Sequence, residues 1–183
     1  MNRKFRQRAL RVAVVSAMVT SGTMLANTSA HAAGPGPTTP FYLQNKVSGR
    51  CMAIGAGSKA GGAGVIQWGC DGGKEQQWYE NGPWYPDGDG VAYYQIVNVN
   101  SHMCLADPGD SPNNNVQLIQ YGCDGGPEQL WVVLGTGTLM LEKYHSNQCA
   151  ADGASSYNDG APIVQWTFDN YGEEQKWTEV GGS

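Results

Sequence analysis

Glu75-Gln76-Gln77-Trp78, Glu128-Gln129-Leu130-Trp131 and Glu174-Gln175-Lys176-Trp177 write one tetrad, Glu-Gln-x-Trp, three times. The tryptophans are 53 and 46 residues apart, close to the periods that mark repeat architectures. The flanks align too. Cys51, Cys104 and Cys149 each stand 17 residues before an aromatic, Trp68, Tyr121 and Trp166, and each follows a short apolar-rich run beginning at Phe41, Tyr94 and Leu139. Agreement at this many offsets defines a triplicated unit, with repeats over about 41–82, 94–135 and 139–181 and an insertion at 83–93.

Each unit reads as strands. Tyr94-Gln95-Ile96-Val97-Asn98-Val99 and Leu139-Met140-Leu141 carry strand-like patterning, and turn signals recur at Asn100-Ser101, Pro108-Gly109, Asp124-Gly125-Gly126 and Asn158-Asp159-Gly160. No segment has a convincing helical period. Four short strands per unit give about twelve in all. Closing them into a barrel removes exposed sheet edges and lets Trp78, Trp131 and Trp177 meet in a shared core.

Residues 1–32 read as a secretory signal peptide. Arg3, Lys4, Arg6, Arg8 and Arg11 precede an apolar stretch from Val12 to Ala26, and Ala30-His31-Ala32 supplies a small-residue cleavage site. The stretch is too short and too interrupted for a membrane span. Residues 33–40 are expected to be a flexible segment, and 41–183 the folded domain. Removing the leader leaves six Lys and Arg against sixteen Asp and Glu, a balance of −10 that disfavours nucleic acid and anionic membranes as partners.

Cysteine spacing fits export. Cys51 to Cys70 and Cys104 to Cys123 both span 19 residues, whereas the same step from Cys149 reaches Phe168. Two disulfides are predicted, each closing a loop of about 20 residues and contributing roughly 3 kcal/mol in the chain-entropy model. Cys149 is left over as a reactive thiol, an intermolecular link or, the reading adopted, a buried thiol packed near Phe168.

These residues resemble the ricin B-type lectins, also described as family 13 carbohydrate-binding modules. The hallmark is the threefold Gln-x-Trp at Gln76 and Trp78, Gln129 and Trp131, and Gln175 and Trp177, with a Cys-x16-aromatic-x-Cys element intact in the first two units. The resemblance covers nearly the whole chain after the leader. It implies an all-β fold, a β-trefoil of three pseudo-symmetric four-strand repeats, with one shallow sugar pocket per lobe.

The chain departs from the family pattern in all three lobes. Where the family carries Asp two positions after the first Cys, Ala53, Ala106 and Ala151 stand here, and Ile66, Ile119 and Val164 replace a Gln two before the aromatic. Glu75, Glu128 and Glu174 replace the Asn before the repeat Gln.

A sugar pocket needs an aromatic face for the apolar side of a pyranose and acceptors for its hydroxyls. Trp68, Tyr121 and Trp166 supply the face, and Glu75, Glu128 and Glu174 the acceptors, oriented by Gln76, Gln129 and Gln175. The blander reading makes the rings half-buried packing and the carboxylates turn solvation. Asp107 and Asp152, one position beyond the replaced Asp, re-enter the pockets of lobes two and three if the backbone shifts; lobe one has Ile54 there. Strand alternation puts Gln67, Gln120 and Gln165 on the face opposite the rings, for core or rim hydrogen bonding.

The insertion contains Pro83-Trp84-Tyr85-Pro86, expected either to fold as a lid over lobe one or to form an extra stacking platform. Asp87-Gly88-Asp89-Gly90 lacks the further carboxylates of a calcium loop, so no metal or other cofactor is expected. His102 and His145 have no nucleophile motif beside them, and the adjacent Glu173 and Glu174 point apart rather than facing across a bond. The reading is a secreted, extracellular, monomeric lectin without catalytic residues whose partner is polysaccharide or another glycan. The alternative is an extracellular β-trefoil that docks on or inhibits another protein.

Overall fold

A computed structural model describes residues 39–181; the expected signal peptide at 1–32 and positions 33–38 lie outside the described residues. Thirteen strands are formed among the described residues: β1 Phe41–Asn45, β2 Cys51–Ile54, β3 Val65–Trp68, β4 Gln77–Trp84, β5 Tyr93–Asn98, β6 Cys104–Ala106, β7 Val116–Gln117, β8 Ile119–Tyr121, β9 Trp131–Leu134, β10 Met140–Lys143, β11 Gln148–Asp152, β12 Ile163–Thr167 and β13 Trp177–Gly181. The extra strand beyond the twelve expected comes from repeat two, where the hairpin strand is interrupted at Leu118 between β7 and β8. Each Glu-Gln pair lies in a 3-10 turn, Lys74–Gln76, Pro127–Gln129 and Glu173–Gln175, that leads into the strand bearing the repeat tryptophan.

Six strands close a barrel. β1 pairs with β4, β4 with β5, β5 with β9 and β9 with β10, and β13 returns to β1 from Phe41↔Gly181 to Asn45↔Trp177. The last seam is the Leu139↔Trp177 bridge, with both backbone hydrogen bonds made at 2.7 and 2.8 Å. Three hairpins, β2–β3, β6–β8 and β11–β12, cap one end and touch one another through Gly64↔Ile119, Ile66↔Pro162 and the β7–β12 pair. This is the β-trefoil, and it leaves no long unpaired edge in the barrel.

The core follows from the alternation. In β1, Phe41, Leu43 and Asn45 face inward and Tyr42 and Gln44 outward. Trp78, Trp131 and Trp177 are fully buried in one cluster with Leu43, Met52, Ile96, Leu105, Leu141 and Ile163. An indole N–H taken from water needs an acceptor. The three donate to Met52 O, Leu105 O and Ala150 O at 3.0, 3.1 and 3.0 Å, in each case the residue after the repeat cysteine.

The insertion does not lie over lobe one as a lid. β4 and β5 prolong their hairpin to Trp84↔Tyr93 across a bulge, so the segment continues the barrel wall. Gly82 at the bulge has φ 151, and a side chain there would meet Tyr93 O at 2.9 Å. At the hairpin tip, Asp87 accepts from Tyr144 Oη at 2.6 Å and pairs with His145 Nε2 at 2.8 Å, both in the third repeat. The Tyr144 hydrogen bond is the main reason the Asp87 carboxyl titrates below its ordinary range; the same bond pushes the Tyr144 phenol up to about 12.

Candidate functional site

Each capping hairpin turns one ring of its strands to solvent. Trp68, Tyr121 and Trp166 are 44%, 53% and 43% exposed. They stand directly across from Cys51, Cys104 and Cys149 in the capping hairpins. In lobes one and two the Cys51–Cys70 and Cys104–Cys123 disulfides, with Cα separations of 5.1 and 5.2 Å, pin the chain two residues beyond the ring. Lobe three holds its ring with backbone instead: β12 runs on to pair Thr167 with Gln148, and Phe168 N–H donates to Asn147 O at 2.9 Å. Cys149 is buried and free, and burial pushes its thiol up to about 12.

Beside each ring lies a shallow depression. Ala53, Ile66, Trp68 and Glu75 line that of lobe one, Ala106, Ile119, Tyr121 and Glu128 that of lobe two, and Ala151, Val164, Trp166 and Glu174 that of lobe three. The volumes are about 150, 200 and 190 Å³, below the roughly 300–1,000 Å³ of enclosed small-molecule sites. The replaced Asp and Gln positions thus form an apolar floor of Ala with Ile or Val. Glycine precedes each acceptor by two residues. A side chain on Gly73, Gly126 or Gly172 would collide with the carboxylate of Glu75, Glu128 or Glu174, which folds back over that glycine. Among the described residues, none of the three carboxylates has a protein hydrogen bond. Each lobe therefore pairs an outward ring with an uncommitted anionic acceptor.

The repeat glutamines are brought to the same lobes but turned away from solvent. Gln76, Gln129 and Gln175 are fully buried. Their amides donate to Gly69 O, Gly122 O and Thr167 O and accept from the backbone N–H of Asp71, Asp124 and Asp169. Through these bonds the glutamines hold the loop between ring and acceptor, and so set their spacing.

Asp107 and Asp152 border the depressions of lobes two and three but are buried, at 0% and 1% exposure. Strand alternation turns the position after Ala106 or Ala151 into the interior, where lobe one has Ile54 in the core cluster. Asp107 Oδ2 pairs with Lys143 Nζ at 2.8 Å, and Lys143 also reaches Asp110 Oδ1 at 3.0 Å and Ser111 O at 3.3 Å. Burial pushes the Asp107 carboxyl up, and Lys143 pulls it back only in part. Asp152 has no such cation. Neither of its oxygens makes a full hydrogen bond among the described residues, and burial raises it to about 6, with the nearby Ser156 N–H opposing the rise and Glu174 adding to it.

Lys143 escaped the sequence reading, although a signal existed. It aligns six residues before the repeat cysteine with Asn45 and Asn98, which cap their turns and donate to Glu174 O and Glu75 O of a neighbouring repeat at 2.9 Å. A lysine there coincides with an aspartate at position 107 of the adjacent unit.

Comparison with known proteins agrees with this fold. The family model described as ricin-type beta-trefoil lectin domain-like matches residues 31–85 and 80–166. A designed threefold-symmetric protein, ThreeFoil, is 31% identical, with 77% of this chain and 97% of that one covered and a TM-score of 0.68. An exo-β-1,3-galactanase from Clostridium thermocellum is 33% identical with a TM-score of 0.70; the match covers 79% of this chain and 30% of the galactanase. The C-terminal half of the earthworm R-type lectin, solved with GalNAc, shares the fold at 20% identity, with 79% and 99% covered and a TM-score of 0.60. No curated protein matches the chain.

Proposed function

From the chain's membership of the ricin-type β-trefoil lectin domain-like family, we propose that it is a secreted, non-enzymatic lectin that binds polysaccharide at up to three shallow sites, one per repeat. The observation that carries this reading is the threefold recurrence of a solvent-facing ring beside an uncommitted carboxylate: Trp68 with Glu75, Tyr121 with Glu128, Trp166 with Glu174. A scaffold indifferent to ligand has no need to hold an acceptor over a glycine at the same place in every unit.

In this reading the apolar face of a pyranose stacks on the ring, and the glutamate accepts hydrogen bonds from its hydroxyls. Gln76, Gln129 and Gln175 position the acceptor, while Asp107 and Asp152 act from beneath the floor. Each depression is small and open, so single-site affinity is modest and retention comes from several lobes engaging one polymer. The galactanase likeness makes β-1,3-galactan a first glycan to try.

A glycan array at neutral pH tests the proposal. Defined hits that free sugar competes away support it, and an empty array with a protein recovered in pull-downs assigns the chain to the docking class instead.

A further inference from the structure

The rings do not stand alone: each is bordered by a loop from a different repeat. Gln67, Gln120 and Gln165, one residue before the rings and fully buried, clamp these loops. Gln67 Nε2 donates to Ser156 O and Asn158 O in repeat three at 2.7 and 3.0 Å. Gln120 Nε2 donates to Ser58 O and Ala60 O in repeat one, both at 2.9 Å. Gln165 Nε2 donates to Ser111 O and Asn113 O in repeat two at 2.8 and 2.7 Å. The clamps run one to three, two to one and three to two, a closed ring of contacts. Backbone N–H groups of Gly160, Gly62 and Asn115 return to the carbonyls of the same three glutamines at 2.9, 2.8 and 2.9 Å.

Between its two clamped carbonyls each loop carries one exposed apex residue. That residue is Tyr157 at lobe one, Lys59 at lobe two and Pro112 at lobe three. The scaffold is thus threefold, and the side chain it offers beside each ring is not.

Lobe one is braced most heavily. Arg50 Nε donates to Tyr157 O at 2.7 Å, Arg50 Nη1 pairs with Asp159, and Asp159 Oδ1 accepts from the Gly69 N–H, next to Trp68, at 2.8 Å. A side chain on Gly160 would touch the Trp68 ring edge at 4.0 Å, so the loop runs alongside the indole. Lobe three keeps a weaker version, with Gln148 donating to Pro112 O at 3.1 Å and Thr167 N–H to Asn114 Oδ1 at 2.8 Å. Lobe two has Met103 and Gly61 at the bracing positions.

Tyr157 is 64% exposed on a backbone already immobilised by folding, so a partner that stacks on it meets little further ordering cost. We propose that Tyr157 is a second stacking subsite beside Trp68, so that lobe one holds two successive residues of one glycan chain while lobes two and three hold one each. The proposal rests on Trp68 being a sugar-stacking ring and adds the neighbouring residue to it. It makes lobe one the site that distinguishes a chain from a single sugar.

The test uses the mature protein carrying Tyr121→Ala and Trp166→Ala, which isolates lobe one, titrated with β-1,3-galacto-oligosaccharides and xylo-oligosaccharides of one to six residues. Affinity is expected to rise from one residue to two. Tyr157→Ala removes that rise, a loss of roughly fivefold for the longer chains, without changing monosaccharide binding; Tyr157→Phe keeps it, and the thermal midpoint does not move. Equal titrations of Tyr157→Ala and its parent at every length overturn the second subsite and leave Trp68 standing. If Trp68→Ala also binds every oligosaccharide as its parent does, or if no oligosaccharide binds the parent, the single-ring reading falls with it.

Discussion

Lys143 Nζ lies 2.8 Å from Asp107 Oδ2 with both side chains shut off from water, and the contact ties the third repeat to the second. Asn45 and Asn98 make the corresponding ties from repeat one to three and from two to one by neutral hydrogen bonds. The pseudo-symmetry is therefore broken at one junction by charge, and removing half of a buried pair is costly. Lys143→Met is expected to lower stability by about 3–5 kcal/mol, and the Lys143→Met, Asp107→Leu double variant to recover most of it. Urea denaturation of both variants checks this.

Asp152 sits at the position of Asp107 without a cation, and its folded carboxyl is raised from 3.8 to about 6. A raised acid favours the folded state fully below its unfolded value, and the advantage disappears as pH climbs through the folded value. The stability of the wild type relative to Asp152→Asn should fall between pH 4 and pH 7 by on the order of 2–3 kcal/mol. Chemical denaturation of both proteins across that range gives the difference, which isolates Asp152 from the other raised carboxyls.

Each core tryptophan serves its own repeat by volume and by one hydrogen bond. Trp78→Phe, Trp131→Phe and Trp177→Phe leave Met52 O, Leu105 O or Ala150 O without a donor. Each is expected to cost roughly 2–3 kcal/mol, and the three values should agree within about 1 kcal/mol. A guanidinium series measures them.

Much of this architecture was legible in the sequence because it repeats. A tryptophan at fixed phase in three units has to be core, and a cysteine 17 residues before an aromatic fixes one hairpin. The site was legible where side chains follow strand alternation, as at Trp68 and Gln67. It was not legible where a partner comes from another repeat. Nothing local says that Lys143 reaches Asp107, that Gln67 clamps the loop of Tyr157, or that the tip at Asp87 packs on Tyr144. The lid, one of the two alternatives for the insertion, failed for that reason: a hairpin insertion prolongs its strands, and where its tip lands depends on the next repeat.

Cys149 is buried, and its thiol is pushed up to about 12. It is expected to resist thiol reagents in native protein at pH 8 and to react once denatured, with one equivalent counted by mass. Substituting Cys104 and Cys123 by serine should cost roughly 3 kcal/mol, and lobe three shows that strand pairing can hold a ring without such a bridge.

The central claim is that the outward rings carry glycan binding while the buried tryptophans carry the fold. Retention of the Trp68→Ala, Tyr121→Ala, Trp166→Ala triple variant on beads bearing the array's strongest glycan tests it most directly. The account predicts stepwise loss from single to triple variant with an unchanged circular dichroism spectrum. Full retention by the folded triple variant would contradict it.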